Sequence, residues 1–151
     1  MPTIFDTLKR DHRKVKDELR KISATTSRAA KTREKLFNQI KSELEVHTRF
    51  EEEVFYPAVR KVPGLSSNVG DALHEHDEAK SMLQALGRMD KTSNEFIEKL
   101  QELRQALDHH IKDEEQEMFP KAREGIARED AEAMAEEYRG LKQQELRKAA
   151  A

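Results

Sequence analysis

Apolar residues recur at steps of three and four along most of this chain, the spacing that places them on one face of an α-helix. One such stripe has a counterpart 63 residues later with the same steps. Each contains a His-x-x-x-Glu pair, so a histidine and a glutamate lie one helical turn apart on the face predicted to point inward. The stripes are Phe37, Ile40, Leu44, His47, Glu51 and Phe55, and Leu100, Leu103, Leu107, His110, Glu114 and Met118.

Breaking and capping residues divide the chain into four main helices and a helical tail. A first helix is expected to run from Thr3 to about residue 23, and a second from about residue 28 to Val62. A third ends near Gly87, a fourth reaches Gly125, and a tail begins at Arg128. The predicted N-caps are Thr3 with Asp6, then Ser66, Ser67 or Asn68, and finally Thr92 with Glu95.

Two prolines fall inside the second and fourth helices, each ten residues after the histidine of its stripe. Pro57 and Pro120 each remove a backbone donor, so each is predicted to kink its helix or to end it early.

The first and third helices repeat as well, at an offset of 64 residues. Asp11-His12 matches Glu75-His76, and the apolar residues that follow also match. The chain is therefore interpreted as a duplicated helix pair. This predicts an all-α fold, an up-and-down four-helix bundle over residues 1–125, with an additional C-terminal helix over residues 126–151.

Every helix of this bundle places one histidine on its apolar stripe, and two helices add a glutamate. One inward histidine is more often a hydrogen-bonded core residue than a ligand. Six such groups repeated in register favour a dinuclear metal centre, because burying them without partners would cost several kcal/mol each. The candidate ligands are His12, His47, Glu51, His76, His110 and Glu114.

Other polar residues near these stripes carry weaker predictions. His74 and His109 lie off the stripes and are expected in solvent or outside the ligand shell. Glu52 and Glu115 are expected to form surface pairs or to hydrogen-bond to ligands. Tyr56, whose counterpart is a phenylalanine, either packs in the core or donates a hydrogen bond near the metals, and packing is the simpler interpretation.

Composition narrows the chemistry. The chain has no Cys, which excludes disulfides and thiolate ligation and leaves imidazole and carboxylate, a set that suits iron, manganese or zinc. No stretch approaches a membrane span, so a soluble, cytoplasmic protein is expected. Residues 1–41 hold 12 Lys/Arg and 5 Asp/Glu, but they are mixed and lack interleaved aromatic residues, which disfavours nucleic-acid binding.

From about Thr3 to Arg123, the chain resembles the hemerythrin family, in particular its HHE cation-binding members. The hallmarks are Asp11-His12, His47-x3-Glu51 with Phe55-Tyr56-Pro57, Glu75-His76, and His110-x3-Glu114 with Met118-Phe119-Pro120. The resemblance implies two iron ions joined by an oxo or hydroxo bridge. It implies terminal ligation by His12, His47, His76 and His110, and bridging by Glu51 and Glu114.

The chain departs from the oxygen carriers of that family, which have five histidines. The positions four before and four after His76 are Ala72 and Lys80. Two octahedral irons offer twelve positions, and four histidines, two bridging carboxylates and one bridging oxygen fill ten. An opening on each iron predicts a protein that reacts with or responds to dioxygen or hydrogen peroxide. The alternatives are an iron- or oxygen-sensing module without turnover, and a zinc or manganese site without redox function.

The tail also shows helical spacing, with Met134, Tyr138 and Leu141 on one side. This face is predicted either to bind a protein partner or a second copy of the chain, or to pack on the parent bundle.

Overall fold

The computed structural model describes residues 1–150, with side chains described as far as residue 148, and the regular elements of this part are all helices. Within it, no helix is both long and apolar enough to cross a membrane. The expected cytoplasmic location stays a prediction. The α-helices are α1 (Ile4–Ser23), α2 (Ala30–Phe50), α3 (Tyr56–Arg60), α4 (Ser66–Arg88), α5 (Asn94–Asp113), α6 (Phe119–Gly125) and α7 (Arg128–Ala150).

The helix starts confirm one predicted cap and correct two. Thr3 and Asp6 form the predicted capping box of α1, with each side chain bonded to the backbone of the other residue. The cap of α5 is Ser93, whose hydroxyl accepts from Phe96 N at 3.1 Å. The predicted Thr92 instead bonds back to the preceding turn. The start of α4 has no side-chain cap, so the prediction of Ser66, Ser67 or Asn68 was wrong.

Both prolines are accommodated by a π-helical turn that precedes them. The first π turn, Glu51–Phe55, joins α2 to α3, and the second, Glu114–Met118, joins α5 to α6. Proline has no N–H and its ring crowds the preceding turn, and a widened turn relieves that conflict without breaking the helix. The helix therefore continues past each proline through a widened turn, where the sequence predicted a kink or an early end. Each π turn begins at a candidate ligand.

The helices pack as the predicted bundle of two duplicated pairs. α1 lies against α2, α4 lies against α5, and α1 and α5 join the pairs. α4 also contacts α3, which continues α2 beyond the first π turn. α7 lies across α1 and α2, so it covers the outside of the first helix pair. The predicted domain boundary at residue 125 stays a prediction.

Two apolar clusters fill the interior, and the polar stripe residues lie between them. One cluster surrounds Phe5, Phe55 and Phe119 and includes Met134 and Tyr138 from α7. The other extends along the far half of the bundle, from Val15 on α1 to Phe96 on α5. His12 follows Leu8 of the first cluster and precedes Val15 of the second, so the histidine layer separates the clusters along each helix.

The far end of the bundle is closed by a buried arginine. Arg33 is 3% exposed and donates to Lys91 O at 2.6 Å, to Thr25 O at 3.0 Å and to Thr25 Oγ1 at 2.9 Å. These bonds tie the start of α2 to the loops that follow α1 and α4.

Candidate metal centre

The six candidate ligands are buried together at the middle of the bundle. Each main helix contributes one histidine, and each π turn begins with one glutamate, so all six side chains converge from four directions. Their exposed fractions are 3% for His12, 6% for His47, 3% for His76, 6% for His110, 0% for Glu51 and 2% for Glu114.

Glu51 lies between a histidine of its own helix pair and a histidine of the other. Its Oε1 is 3.1 Å from His47 Nε2 and 3.2 Å from His76 Nε2. Two ligands at about 2.1 Å from one metal and at right angles to each other are about 3 Å apart. The spacing is that of atoms arranged around a metal ion.

Glu114 occupies the equivalent position in the second half. Its Oε1 is 3.3 Å from His12 Nε2, and its Oε2 is 3.4 Å from His110 Nε2. Each glutamate therefore reaches from its own helix pair to the other, as a bridging carboxylate would.

Several of these atoms are close to one another but are not hydrogen-bonded. His12 Nε2, His110 Nε2, Glu114 Oε1 and both oxygens of Glu51 are buried without a hydrogen-bond partner in the described part of the chain. The short His–Glu distances therefore do not correspond to well-oriented hydrogen bonds. Buried polar atoms left this way are costly unless another partner satisfies them, and a metal ion would do so.

The cluster divides into two halves that follow the duplication. The rings of His12 and His47 have centroids 5.1 Å apart, and those of His76 and His110 are 4.9 Å apart. Two groups of ligand atoms within 4.8 Å of one another follow the same division. One contains His12, His47, Glu51 and Glu114, and the other contains Glu51, His76 and His110.

A second set of four carboxylates orients the histidines from outside. Each histidine directs Nδ1 at one of these carboxylates, and this leaves Nε2 facing the centre. The sequence predicted no role for Asp11 or Glu75 and offered a surface pair as an alternative for Glu52 and Glu115. The pairs are His47 with Asp11 at 3.0 Å, His110 with Glu75 at 2.8 Å, His76 with Glu52 at 2.9 Å, and His12 with Glu115 at 2.6 Å.

The charges of this layer shift pKa values strongly in the metal-free chain. Burial lowers the pKa of His47, but the nearby Glu51 charge and the hydrogen bond to Asp11 outweigh it, and the pKa rises to about 10. Burial likewise opposes the carboxylates around His110, whose pKa rises to about 11. Burial raises the pKa of Glu114, yet the close imidazoles of His110 and His12 bring it well below its ordinary value. Without metal the layer is therefore held by paired charges.

Tyr56 hydrogen-bonds within the ligand layer, so packing alone does not describe its role. Its hydroxyl donates to Glu114 Oε2 at 2.5 Å and lies 3.1 Å from His76 Nε2. Burial and the charges of Glu114 and Glu51 raise its pKa well above the ordinary value, so in the metal-free chain the phenol keeps its proton. The counterpart Phe119 stacks on His12 instead.

The tail reaches the same layer. Tyr138 on α7 stacks on Phe50 with centroids 4.6 Å apart, and its hydroxyl donates to Asp11 Oδ2. Lys142, one turn later, donates to Asp11 Oδ1. Asp11 in turn holds His47, so α7 contacts the centre through one intermediate residue. The sequence showed Tyr138 only as part of an apolar stripe.

The two remaining histidines lie outside the ligand layer, as expected. His74 has a 77% exposed side chain and pairs with Glu78 at 2.9 Å. His109 has a 67% exposed side chain and lies 3.1 Å from Asp113 and 3.5 Å from Glu75.

Two cavities approach the ligand layer. The larger, of about 830 Å³, is lined by residues of α1, α2, α4, α5 and α7 and reaches His12, His47, His76 and His110. The smaller, of about 220 Å³, lies between α4 on one side and α5 with the second π turn on the other. It reaches His110 and Glu114.

Fold and site together define a metal-binding helical bundle. The family model for the hemerythrin HHE cation-binding domain matches residues 3–122, and the chain belongs to that family. The match ends before α7.

Individual relatives agree with this assignment. An uncharacterised hemerythrin-like protein of Schizosaccharomyces pombe is 31% identical over 144 residues, which cover 94% of this chain and 70% of the relative. A DNA nickase of Nostoc sp. is 27% identical over 139 residues, which cover 92% of this chain and 39% of the nickase. The chain thus spans about two fifths of that enzyme.

A solved structure shares the fold. The crystal structure of a hemerythrin HHE cation-binding domain-containing protein from Mycobacterium kansasii has a TM-score of 0.83 and 25% sequence identity. The superposition covers 96% of this chain and 88% of the other.

Proposed function

We propose that this protein is a non-haem di-iron protein that reacts with dioxygen or hydrogen peroxide. The observation that carries the proposal is the buried position of Glu51 between His47 and His76, with both carboxylate oxygens lacking a hydrogen-bond partner. A carboxylate buried in this way suits a bridge between two cations, because the cations would satisfy its oxygens and offset its charge.

In this proposal each helix pair supplies two terminal histidines to one iron. His12 and His47 would hold the first and His76 and His110 the second, and Glu51 and Glu114 would offer carboxylate oxygens to both. The neutral Nε2 of each histidine is the ligand atom, because its Nδ1–H is directed at an outer carboxylate.

The four-histidine set supports reaction over reversible oxygen carriage. Four histidines and two shared carboxylates would not fill the coordination of two iron ions, so an oxygen species would have room to bind. When bound, the two irons supply a redox pair that can exchange two electrons with an oxygen species.

The residues around the centre orient a ligand carboxylate and leave a path from solvent. Tyr56 donates its hydroxyl proton to Glu114 Oε2 and so fixes the orientation of this carboxylate. The larger cavity reaches four ligand histidines, and it is wide enough for dioxygen or peroxide and water.

Peroxide loss and oxygen release by the iron-loaded protein test this function. The expected rate exceeds that of the same concentration of free iron. The Glu51→Ala variant should lose both metal and activity, while His74→Ala should keep both. A wild-type rate no greater than that of free iron would remove the enzymatic function.

A second function, iron or oxygen sensing without turnover, is favoured by one contact. Asp11 is shared by His47 and by the tail residues Tyr138 and Lys142, so metal loading and the docking of α7 are linked through one side chain. Limited proteolysis with and without iron tests this link. A sensor should expose α7 to cleavage when iron is removed, and equal resistance in both forms would contradict it.

A further inference from the structure

The smaller cavity opens in a groove between α4 and α5 that we call the α4–α5 groove. Its mouth is acidic, and its floor is made by two candidate ligands, His110 and Glu114. The carboxylates that line it above the floor are Asp71, Glu75, Asp113 and Glu117.

The floor of this groove carries polar atoms that lack partners. Glu114 is 2% exposed and His110 is 6% exposed, and Glu114 Oε1 and His110 Nε2 have no hydrogen-bond partner. His110 directs Nδ1 at Glu75 of the groove, so its Nε2 and Glu114 Oε1 belong to the metal centre that lies behind the groove floor.

A second set of groups able to hold metal lies at the rim of the groove, where Glu75 and Asp113 line the cavity and His109 lies beside them. Glu75, His109 and Asp113 each place one ligand atom within 4.8 Å of the others. His109 Nε2 is 3.1 Å from Asp113 Oδ2 and 3.5 Å from Glu75 Oε2. An imidazole with two carboxylates is a donor set that suits divalent transition-metal ions.

Glu75 connects the rim to the floor. Its Oε2 faces His109, while its Oε1 bonds His110 Nδ1 at 2.8 Å. A cation held at the rim would therefore share this carboxylate with the residue that orients an inner ligand.

The first helix pair, α1 and α2, lacks the polar groups that form the mouth and rim of this groove. At the 63-residue offset, His109, Asp113 and Glu117 correspond to Val46, Phe50 and Val54. That equivalent surface is covered by α7, where Tyr138 stacks on Phe50. The two halves thus share their inner ligands and differ in the surface above them, and the polar surface is on the open side.

We propose that the α4–α5 groove is the route by which a divalent cation reaches the centre, and that Glu75, His109 and Asp113 form its first binding site. An acidic concave mouth raises the local cation concentration and the association rate. The proposal concerns metal uptake and does not depend on reactivity toward oxygen.

The test is stopped-flow uptake of Co²⁺ by metal-free protein at low ionic strength, followed by the visible absorption of the bound ion. Asp113→Asn combined with Glu117→Gln should slow uptake about tenfold, within the range by which charged clefts accelerate association. The final amount of bound Co²⁺ should be unchanged. The matched control is Glu45→Gln combined with Glu53→Gln, which removes two carboxylates beside the larger cavity.

A single substitution separates the rim site from general attraction. His109→Ala removes no carboxylate, yet it should also slow uptake while leaving the final Co²⁺ content intact. Uptake by His109→Ala at the wild-type rate would overturn the rim site. Equal or greater slowing by the control pair would overturn the route, and so would a wild-type rate in the groove variant.

Circular dichroism of each variant checks that the substitutions leave the fold intact. Asp113, Glu117 and His109 are exposed, so the variants should keep the wild-type helical signal in circular dichroism. If metal removal loosens the bundle, exchange of bound Co²⁺ for Zn²⁺ in the loaded protein gives the same comparison. Slower exchange in the groove variant supports the route, and unchanged exchange overturns it.

Discussion

Replacing Tyr138 by phenylalanine isolates the contribution of the tail to the metal centre. The substitution keeps the buried ring on Phe50 and removes only the hydroxyl that donates to Asp11. Burial beside the Asp11 carboxylate raises the pKa of Tyr138 well above its ordinary value, so the wild-type hydroxyl keeps its proton and donates at ordinary pH.

The expected loss of metal affinity depends on the contacts that Asp11 keeps in the Tyr138→Phe variant. A hydrogen bond to a charged group contributes about 1.5–3 kcal/mol. Asp11 keeps its contacts with Lys142 and His47, so the lower end of that range applies. A loss of about 1.4 kcal/mol corresponds to about tenfold in affinity, which is also the lower end of the loss seen when an outer partner of a ligand is removed.

The assay is a competition titration of metal affinity against a chelator, together with thermal unfolding of the loaded protein. Leu141→Ala is the control, because it weakens the packing of α7 on the bundle without removing a bond to Asp11. We expect Tyr138→Phe to lose about tenfold in affinity, and Leu141→Ala to lose thermal stability with near wild-type affinity. Unchanged affinity in Tyr138→Phe, or equal losses in both variants, would refute the reasoning.

Three further predictions follow from buried charges. Burial and the neighbouring Glu43 carboxyl raise the pKa of Glu18 from 4.5 to about 8. Glu18 is therefore protonated in both the folded and the unfolded state at low pH, and it opposes folding increasingly as the pH rises from 4.5 to about 8. Glu18→Gln should therefore unfold at a higher temperature than wild type at pH 8 and at the same temperature near pH 4. Because the pKa values of His47 and His110 are about 10 and 11 without metal, loading at pH 8 should release protons in a pH-stat, and a proton-neutral titration would count against this. Arg33→Met should lower the free energy of unfolding by about 2–3 kcal/mol in urea, because it leaves buried carbonyl oxygens without donors, and a change within error would show that the bonds are dispensable.

The sequence predicted the bundle and the convergence of the ligands because both depend on periodicity. A residue on a regular apolar stripe must face the core, so the inward positions of His47 and Glu51 follow from their spacing to Leu44 and Phe55. The capping box at Thr3 was likewise visible, because it needs only two residues at a fixed separation.

The contacts around the ligands could not be predicted in the same way. Asp11 and Glu75 lie one residue before a stripe histidine, and only the distance between helices decides that each orients a histidine of the neighbouring helix. Their repetition beside His12 and His76 was the available signal. Tyr138 carried no such signal, because an apolar stripe on a tail predicts burial without naming the surface that it covers.

The π turns were not predicted from the sequence, although the two prolines indicated where the helices would be irregular. A proline inside a helical pattern predicts a kink or an early end, and whether the turn widens instead depends on packing around it. Here Phe55 and Met118 are buried in one apolar cluster, which favours a continuous helix over an end at these positions.

Metal analysis of freshly purified protein, combined with Mössbauer spectroscopy of the iron-loaded form, tests the central claim most directly. Two irons per chain in an oxo- or hydroxo-bridged pair are expected. His76→Ala is expected to abolish or halve the metal content, while His74→Ala leaves it intact. One zinc per chain, or a single isolated iron, would contradict the proposed di-iron centre.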